Sequence, residues 1–189
     1  MKRSKSLQPK LLHDGFADSD SRYGGKYLNT RKGRSRGRPL STQNTMHLVI
    51  RSSKATGLWS FLHRNNKDKV KAILRKFSEK YGIKILTSAN VGNHIHLQIK
   101  LSNRMAYKKF IRASTSAIAM AVTGWSRWTK TTDGEKFWDQ RPFSQIVVSY
   151  NYFLKLQDYI QVNKMEGFGI IRDQANILFE KGYRAVEFG

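Results

Sequence analysis

Several features that are common in globular proteins are missing or scarce in this sequence. Its 189 residues include no cysteine, three prolines and 13 acidic residues against 35 lysines and arginines. The lack of cysteine excludes disulfides, thiolate metal sites and zinc-finger modules. No apolar run approaches the roughly 18 residues of a membrane span, and the basic N-terminus lacks the apolar stretch of a secretory signal. We therefore expect a cytoplasmic protein with no membrane partner.

Positive charge is distributed over the whole chain. The net charge is +22, to which residues 1–43 contribute 11 basic and 3 acidic side chains, and the remaining residues contribute 24 and 10. Such a surface attracts phosphates at long range and gains affinity by releasing their counterions. The charge therefore predicts a nucleic-acid partner. The alternatives are another acidic partner, such as a membrane surface, or a surface that is basic only for solubility.

The first 43 residues are predicted to form a flexible basic arm. The stretch SRYGGKYLNTRKGRSRGRPLST is rich in glycine, serine and arginine and has no apolar periodicity. Arg34, Arg36 and Arg38 are candidates for contacts with DNA phosphates. The alternative is a tail that only increases solubility.

From residue 44 onwards the pattern predicts alternating strands and helices. Strands are expected in TMHLVIRSS, in IKILTSA, over 91–101 and in FWDQRPFSQIVV; helices are expected in NKDKVKAILRKFSEKYG, RMAYKKFIRASTSAIAMAVTG and YNYFLKLQDYIQVNKME. This order predicts an α+β protein of the ferredoxin-like split βαβ class, with an antiparallel sheet, helices on one face and a further C-terminal helix. The predicted domain covers 44–168, followed by a tail over 169–189 with room for one short helix.

The stretch VGNHIHLQIK, residues 91–100, places two histidines one residue apart in a strand. Side chains alternate between the faces of a strand, so His94 and His96 share one face while Ile95 and Leu97 point to the core. We expect the histidine face to be uncovered and wet. Imidazole is the commonest metal ligand, but two ligands are too few for a catalytic site. Polar residues on an exposed strand face are the ordinary alternative.

The last predicted long helix carries a stripe that could supply further ligands. Tyr152, Leu156, Tyr159 and Asn163 recur at steps of four, three and four residues. Tyr159 and Asn163 therefore lie one turn apart, where a phenol and an amide oxygen could reach a cation on the histidines. The alternative is that the stripe is only the core-facing side of an amphipathic helix.

These segments together resemble a known family. GNHIHLQIK, a following helix, FWDQRPFSQIV and then DYIQVNKMEG occur in the order seen in HUH single-tyrosine transposases, and are most similar to their REP-associated tyrosine transposase branch, over about 44–167. The resemblance implies that His94 and His96 bind a metal, that Tyr159 is the nucleophile and that Asn163 completes the metal site. Lys164 stands where the family often has proline, and the basic arm is an addition to the family domain.

The resemblance also implies the chemistry. A transposase of this kind, with Mg²⁺ or Mn²⁺, cleaves and rejoins single-stranded or hairpin DNA through a 5′-phosphotyrosine, with a second copy of the chain as a candidate partner. It would be cytoplasmic and associated with the nucleoid when bound to DNA. Base stacking and phosphate contacts are expected from a loop and its flanks, at Trp125, Arg127, Trp128, Lys130 and Arg141. His47 and His63 are expected to be structural or surface residues.

Two other interpretations of the chain are consistent with its residues. One is a non-catalytic ferredoxin-like module that binds single-stranded nucleic acid, as RNA-recognition modules of the same topology do. The other is a replication initiator or relaxase-like nickase that uses the same histidine pair, although the chain has no room for a helicase domain.

Overall fold

The computed structural model describes residues 40–125 and 136–185, which form four strands and four α-helices. They are β1 (Met46–Arg51), α1 (Lys67–Tyr81), β2 (Ile83–Asn90), β3 (His94–Leu101), α2 (Arg104–Thr123), β4 (Phe143–Ile146), α3 (Tyr150–Gly167) and α4 (Arg172–Glu180). The predicted arm falls outside these residues except for its last four. Within the described ranges, no helix is long and apolar enough to cross a membrane.

The strands form one antiparallel sheet in the order β2-β3-β1-β4. This architecture confirms the predicted α+β class. The pairing of β1 with β3 sets Val49 opposite His96 and Arg51 opposite His94. The histidine strand therefore lies inside the sheet, with a neighbour on each side.

The fourth strand is shorter than the sequence pattern predicts. The prediction began at Phe137, whereas β4 begins at Phe143. Pro142 precedes it, and proline has no N–H to donate to a strand ladder. Phe137 and Trp138 pack against the hydrophobic core instead, and the Trp138 indole N–H donates to the Thr115 carbonyl at 3.1 Å.

The main hydrophobic core lies between the sheet and the helices α1 and α2. The odd-numbered side chains of β3, among them Ile95 and Leu97, are buried there with Leu74 of α1 and Phe110 of α2. This arrangement follows from the two periodicities of the sequence, because strand residues alternate and helix residues recur every three or four. It leaves the even-numbered residues of β3 on the other face.

Helix α3 covers part of that other face. Its buried residues Leu156 and Ile160 form a second apolar cluster with Ala89 of β2. Ala89 is paired with His96, so the cluster lies on the histidine face. The expectation of a wet, uncovered face is therefore wrong at His96, whose exposed fraction is 4%. The reason is that α3 must bury its own apolar stripe, and this side of the sheet supplies the surface.

Both ends of α3 are determined by local contacts. The backbone N–H of Tyr152 donates to the Ser149 hydroxyl oxygen at 3.2 Å, so Ser149 is the N-cap of the helix. At the other end, Gly167 lies against β2, and a Cβ atom added there would clash with the backbone carbonyl oxygen of Asn90. The lack of a side chain at Gly167 thus allows the helix to approach the sheet closely.

Gly167→Ala is expected to lower the free energy of unfolding by about 1 to 3 kcal/mol, because the clash involves two backbones that cannot rotate away. The gain in helix propensity, about 1 kcal/mol for alanine over glycine, is smaller than this cost. Urea denaturation measures the difference. Lys155→Ala, at an exposed position of the same helix, is the control and is expected to be neutral. A Gly167→Ala protein as stable as wild type would show that α3 can shift freely on the sheet.

Candidate active site

The structure brings the two histidines of β3 and the tyrosine of α3 together. The ring centroids of His94 and His96 lie 4.8 Å apart, and the ring of Tyr159 lies 5.2 Å from that of His96 at an angle of 88°. The rings of Tyr159 and His96 are therefore packed edge to face. Three of the residues singled out in the sequence share one site, and their catalytic roles stay predictions.

Each histidine of the pair has its Nδ1 atom engaged. His94 Nδ1 lies 2.6 Å from the amide oxygen of Asn93, and His96 Nδ1 lies 3.1 Å from Nε2 of His47. Because an amide oxygen only accepts, the His94 contact places the ring proton on Nδ1 and leaves Nε2 with a lone pair. Nε2 of His96 is buried and has no hydrogen-bond partner among the described residues.

His47 is a site residue that the sequence analysis did not identify. Its side chain, 4% exposed, lies beside that of His96 with ring centroids 5.4 Å and planes 20° apart, and the ring of Tyr159 lies 6.1 Å away. The edge of Phe143 contacts its other side. His47, Val49 and Arg51 alternate onto one face of β1, but only the pairing of β1 with β3 makes this the histidine face. The sequence does contain a signal for His47, because a polar residue stands there among the apolar residues that begin β1.

The three imidazoles are neutral at pH 7. Burial lowers the pKa of His47 to about 4. The pKa of His94 is also lowered to about 4, first by burial and then by the positive charges of Arg51 and Arg172. Burial, followed by the neighbouring imidazoles, holds the pKa of His96 well below its usual range. Neutral imidazole is the form that binds a cation, so these histidines need not be deprotonated first.

Asn163 is buried on α3, one turn after Tyr159. Its exposed fraction is 1%, and its side-chain N–H donates to the Tyr159 carbonyl at 2.6 Å. The bond holds the amide against the helix and occupies its nitrogen, so a cation would be bound through the oxygen. This is consistent with the predicted role of Asn163 but does not establish it.

Two arginines add positive charge to the site. The guanidinium of Arg172, on α4, lies 5.4 Å from the centre of the Tyr159 ring and forms an ion pair with Glu166 at 2.8 Å. Arg51 is paired with His94 across β1 and β3, and its guanidinium lies 3.5 Å from a carboxylate oxygen of Asp139. Neither arginine was singled out in the sequence, because no local pattern connects α4 or β1 to the tyrosine.

Of the eight residues predicted to contact DNA, two lie within the described residues. Trp125 packs at the margin of the main core, with its ring 5.4 Å from that of Trp59, and Arg141 is exposed. The other candidates lie outside the described residues; they are Arg34, Arg36, Arg38, Arg127, Trp128 and Lys130.

His94, His96 and Asn163 suit a divalent cation that accepts both nitrogen and oxygen ligands. Over residues 40–125 and 136–185, no three His, Cys, Asp or Glu side chains are arranged to hold a metal ion. A metal here would instead use two imidazoles and one amide. The buried and unpartnered Nε2 of His96 fits that use, because a cation would satisfy a nitrogen that the protein leaves without a partner.

Comparison with known proteins identifies the family of the chain. The structure is similar, with a TM-score of 0.52 and 13% identity over 71% of this chain and 74% of the other, to a REP-associated tyrosine transposase solved in complex with a REP hairpin. A candidate transposase from Deinococcus radiodurans has a TM-score of 0.43 and 19% identity, over 68% of this chain and 96% of the other. A search of curated proteins found no match. The family model described as transposase IS200-like matches residues 41–163, about two thirds of the sequence, and the chain therefore belongs to the IS200-like transposase family of DNA-processing enzymes.

Proposed function

We propose that the protein cleaves and rejoins single-stranded DNA with Tyr159 as its nucleophile. The single observation that carries the proposal is the position of the Tyr159 ring, 5.2 Å from His96 and on the same side of the sheet as His94. The tyrosine ring thus packs against a buried imidazole whose Nδ1 atom is engaged and whose Nε2 atom has no partner among the described residues. The family match supports a transposase, and the similar structure with a bound REP hairpin supports hairpin DNA as the substrate.

In the proposed reaction the phenol oxygen of Tyr159 attacks the scissile phosphorus. The bond between phosphorus and the 3′ oxygen breaks, the phenol loses its proton, and the leaving oxygen becomes a 3′-hydroxyl. The 5′ end stays on the tyrosine as a phosphodiester. Because one phosphodiester replaces another, a second 3′-hydroxyl can reverse the step and join new strands.

The proposed cation is Mg²⁺ or Mn²⁺, held by Nε2 of His94, Nε2 of His96 and the amide oxygen of Asn163. When bound it withdraws charge from the phosphate and stabilises the transition state. Two nitrogen ligands suit Mn²⁺ at least as well as Mg²⁺, which prefers oxygen.

The arginines are proposed to position the phosphate and the nucleophile. Arg172 lies over the Tyr159 ring, where a guanidinium is attracted to the aromatic face. Glu166 holds it there through an ion pair that is largely shielded from solvent. Arg51 is a second cation, opposite His94 in the pairing of β1 with β3, and burial together with its charge lowers the pKa of His94. Together they give the site the positive field that a phosphodiester requires.

The experiment that tests the proposal is the capture of a covalent adduct. The purified protein is incubated with Mn²⁺ and a pool of hairpin oligonucleotides flanked by randomised single strands, then boiled in detergent. A label at the 3′ end of the oligonucleotide should migrate with the protein, and a label at the 5′ end should be released. Chelation of the metal should abolish the adduct. Tight DNA binding without any adduct would instead favour the non-catalytic binding module.

A further inference from the structure

We infer that His47 is a positioning residue that accepts a hydrogen bond from Nδ1 of His96 when a cation binds, so that the Nε2 lone pair of His96 is held toward the cation. The inference rests on the proposed function, because it assigns His47 a role toward the same metal. It concerns a residue outside the ligand set and outside the histidine pair of β3. Its basis is the contact between two buried imidazoles on neighbouring strands.

The contact between His47 and His96 is close and buried. His47 Nε2 and His96 Nδ1 lie 3.1 Å apart, and the two rings lie side by side with their planes 20° apart, as a hydrogen bond in the ring plane requires. Each side chain is 4% exposed, so water does not compete for the bond. Phe143 contacts His47 edge-on and restricts its ring. The partner of His96 Nδ1 is therefore one buried imidazole, packed between neighbouring rings.

A hydrogen bond between two neutral imidazoles contains one proton, which either ring can supply. If His96 donates, its Nε2 has a lone pair and the proton of His47 is on Nδ1. If His47 donates, the proton of His96 is on Nε2 and that atom cannot bind a metal. In both cases one buried N–H lacks a partner among the described residues, because His47 Nδ1 and His96 Nε2 are both unpartnered. The protein alone therefore does not strongly favour either form.

Binding of a cation favours one of these two tautomers over the other. It binds only the form in which His96 donates to His47, since the ligating nitrogen must have a free lone pair. His94 is different, because its partner is the amide oxygen of Asn93, which accepts and never donates. The two proposed ligands therefore differ in their tautomers. The contact with Asn93 favours the binding form of His94 with or without a metal, whereas His96 takes that form, with His47 as its acceptor, when a metal binds.

The test uses two variants of His47 and two measurements. His47→Gln keeps an acceptor oxygen close to the position of the imidazole Nε2, whereas His47→Leu removes the acceptor. Loss of such a partner typically weakens metal binding about tenfold to a hundredfold. We expect that loss for His47→Leu and near wild-type affinity for His47→Gln, measured by titration of Mn²⁺ and detection of the free ion by electron paramagnetic resonance.

The second measurement needs no variant and does not depend on activity. In the Mg²⁺-loaded wild-type protein, ¹⁵N spectra of the histidine rings should show the His96 proton on Nδ1; without metal they should show a mixture or the opposite form. The inference is overturned if His47→Leu folds and binds Mn²⁺ as wild type does, if the His96 proton is on Nε2 with metal present, or if wild type binds no Mn²⁺. A wild-type protein with the expected tautomer and affinity that forms no DNA adduct would contradict the proposed function alone.

Discussion

Tyr159→Phe is expected to eliminate the covalent DNA adduct, with a fall of at least about a thousandfold, because the only heavy atom removed is the phenol oxygen that we propose as the nucleophile. The phenyl ring remains, so its contacts with His96 and with the guanidinium of Arg172 are kept. The free energy of unfolding and the affinity for single-stranded DNA should therefore stay close to wild type. The measurement is adduct formation with a 3′-labelled hairpin, quantified over time.

The matched control for this variant is Tyr152→Phe. Tyr152 lies two turns earlier on the same stripe of α3 and packs in the same apolar cluster as Tyr159, so its substitution removes a hydroxyl from a similar environment. It should leave adduct formation unchanged. Full adduct formation by Tyr159→Phe, or its loss only in Tyr152→Phe, would show that the nucleophile has been misassigned.

His96→Ala is expected to reduce adduct formation about a hundredfold or more, because the variant lacks a proposed metal ligand, and removal of a ligand costs at least as much as removal of a ligand's partner. Mn²⁺ affinity should fall in parallel, and excess Mn²⁺ should restore part of the activity if binding, not the chemical step, is limiting. Both quantities can be measured on the same protein sample, the first by gel analysis and the second by metal titration.

Two controls separate this effect from a loss of structure. His96 is buried, so its truncation leaves a cavity and is expected to cost about 2 kcal/mol of stability, which thermal unfolding would detect. His63→Ala removes an imidazole from a half-buried position in the segment that leads to α1 and should leave metal binding intact. If His96→Ala stays folded and keeps wild-type Mn²⁺ affinity, the histidine pair is not the metal site.

Much of the fold could be predicted because its signals are local. The apolar steps of α1, the glycine at position 82 with its φ of 64° and the Ser149 cap all act within one element. The fourth strand was predicted too long because its apolar residues satisfy the strand pattern, while Phe137 and Trp138 are used in the core by a segment that is not a strand. Apolar composition alone does not distinguish these two ways of burying a side chain.

The candidate site was predicted in part for the same reason. His94 and His96 share a face because strand side chains alternate, and Tyr159 and Asn163 share a stripe because a helix turns every 3.6 residues. Their roles in metal binding and catalysis came from the resemblance to a family, and they stay predictions. Arg172 could not be identified, because its proximity to Tyr159 depends on how α4 folds back against α3.

The sequence by itself determined the periodicity and the caps of each element. It also determined the excess of positive charge over the chain and the absence of thiol chemistry. What only the tertiary structure decided is which elements meet. The order β2-β3-β1-β4 places His47 against His96, and the docking of α3 on the histidine face converts a wet surface into a buried site. The physical reason is that strand pairing and helix docking depend on burying apolar area between segments far apart in the chain, and no local pattern specifies the partner.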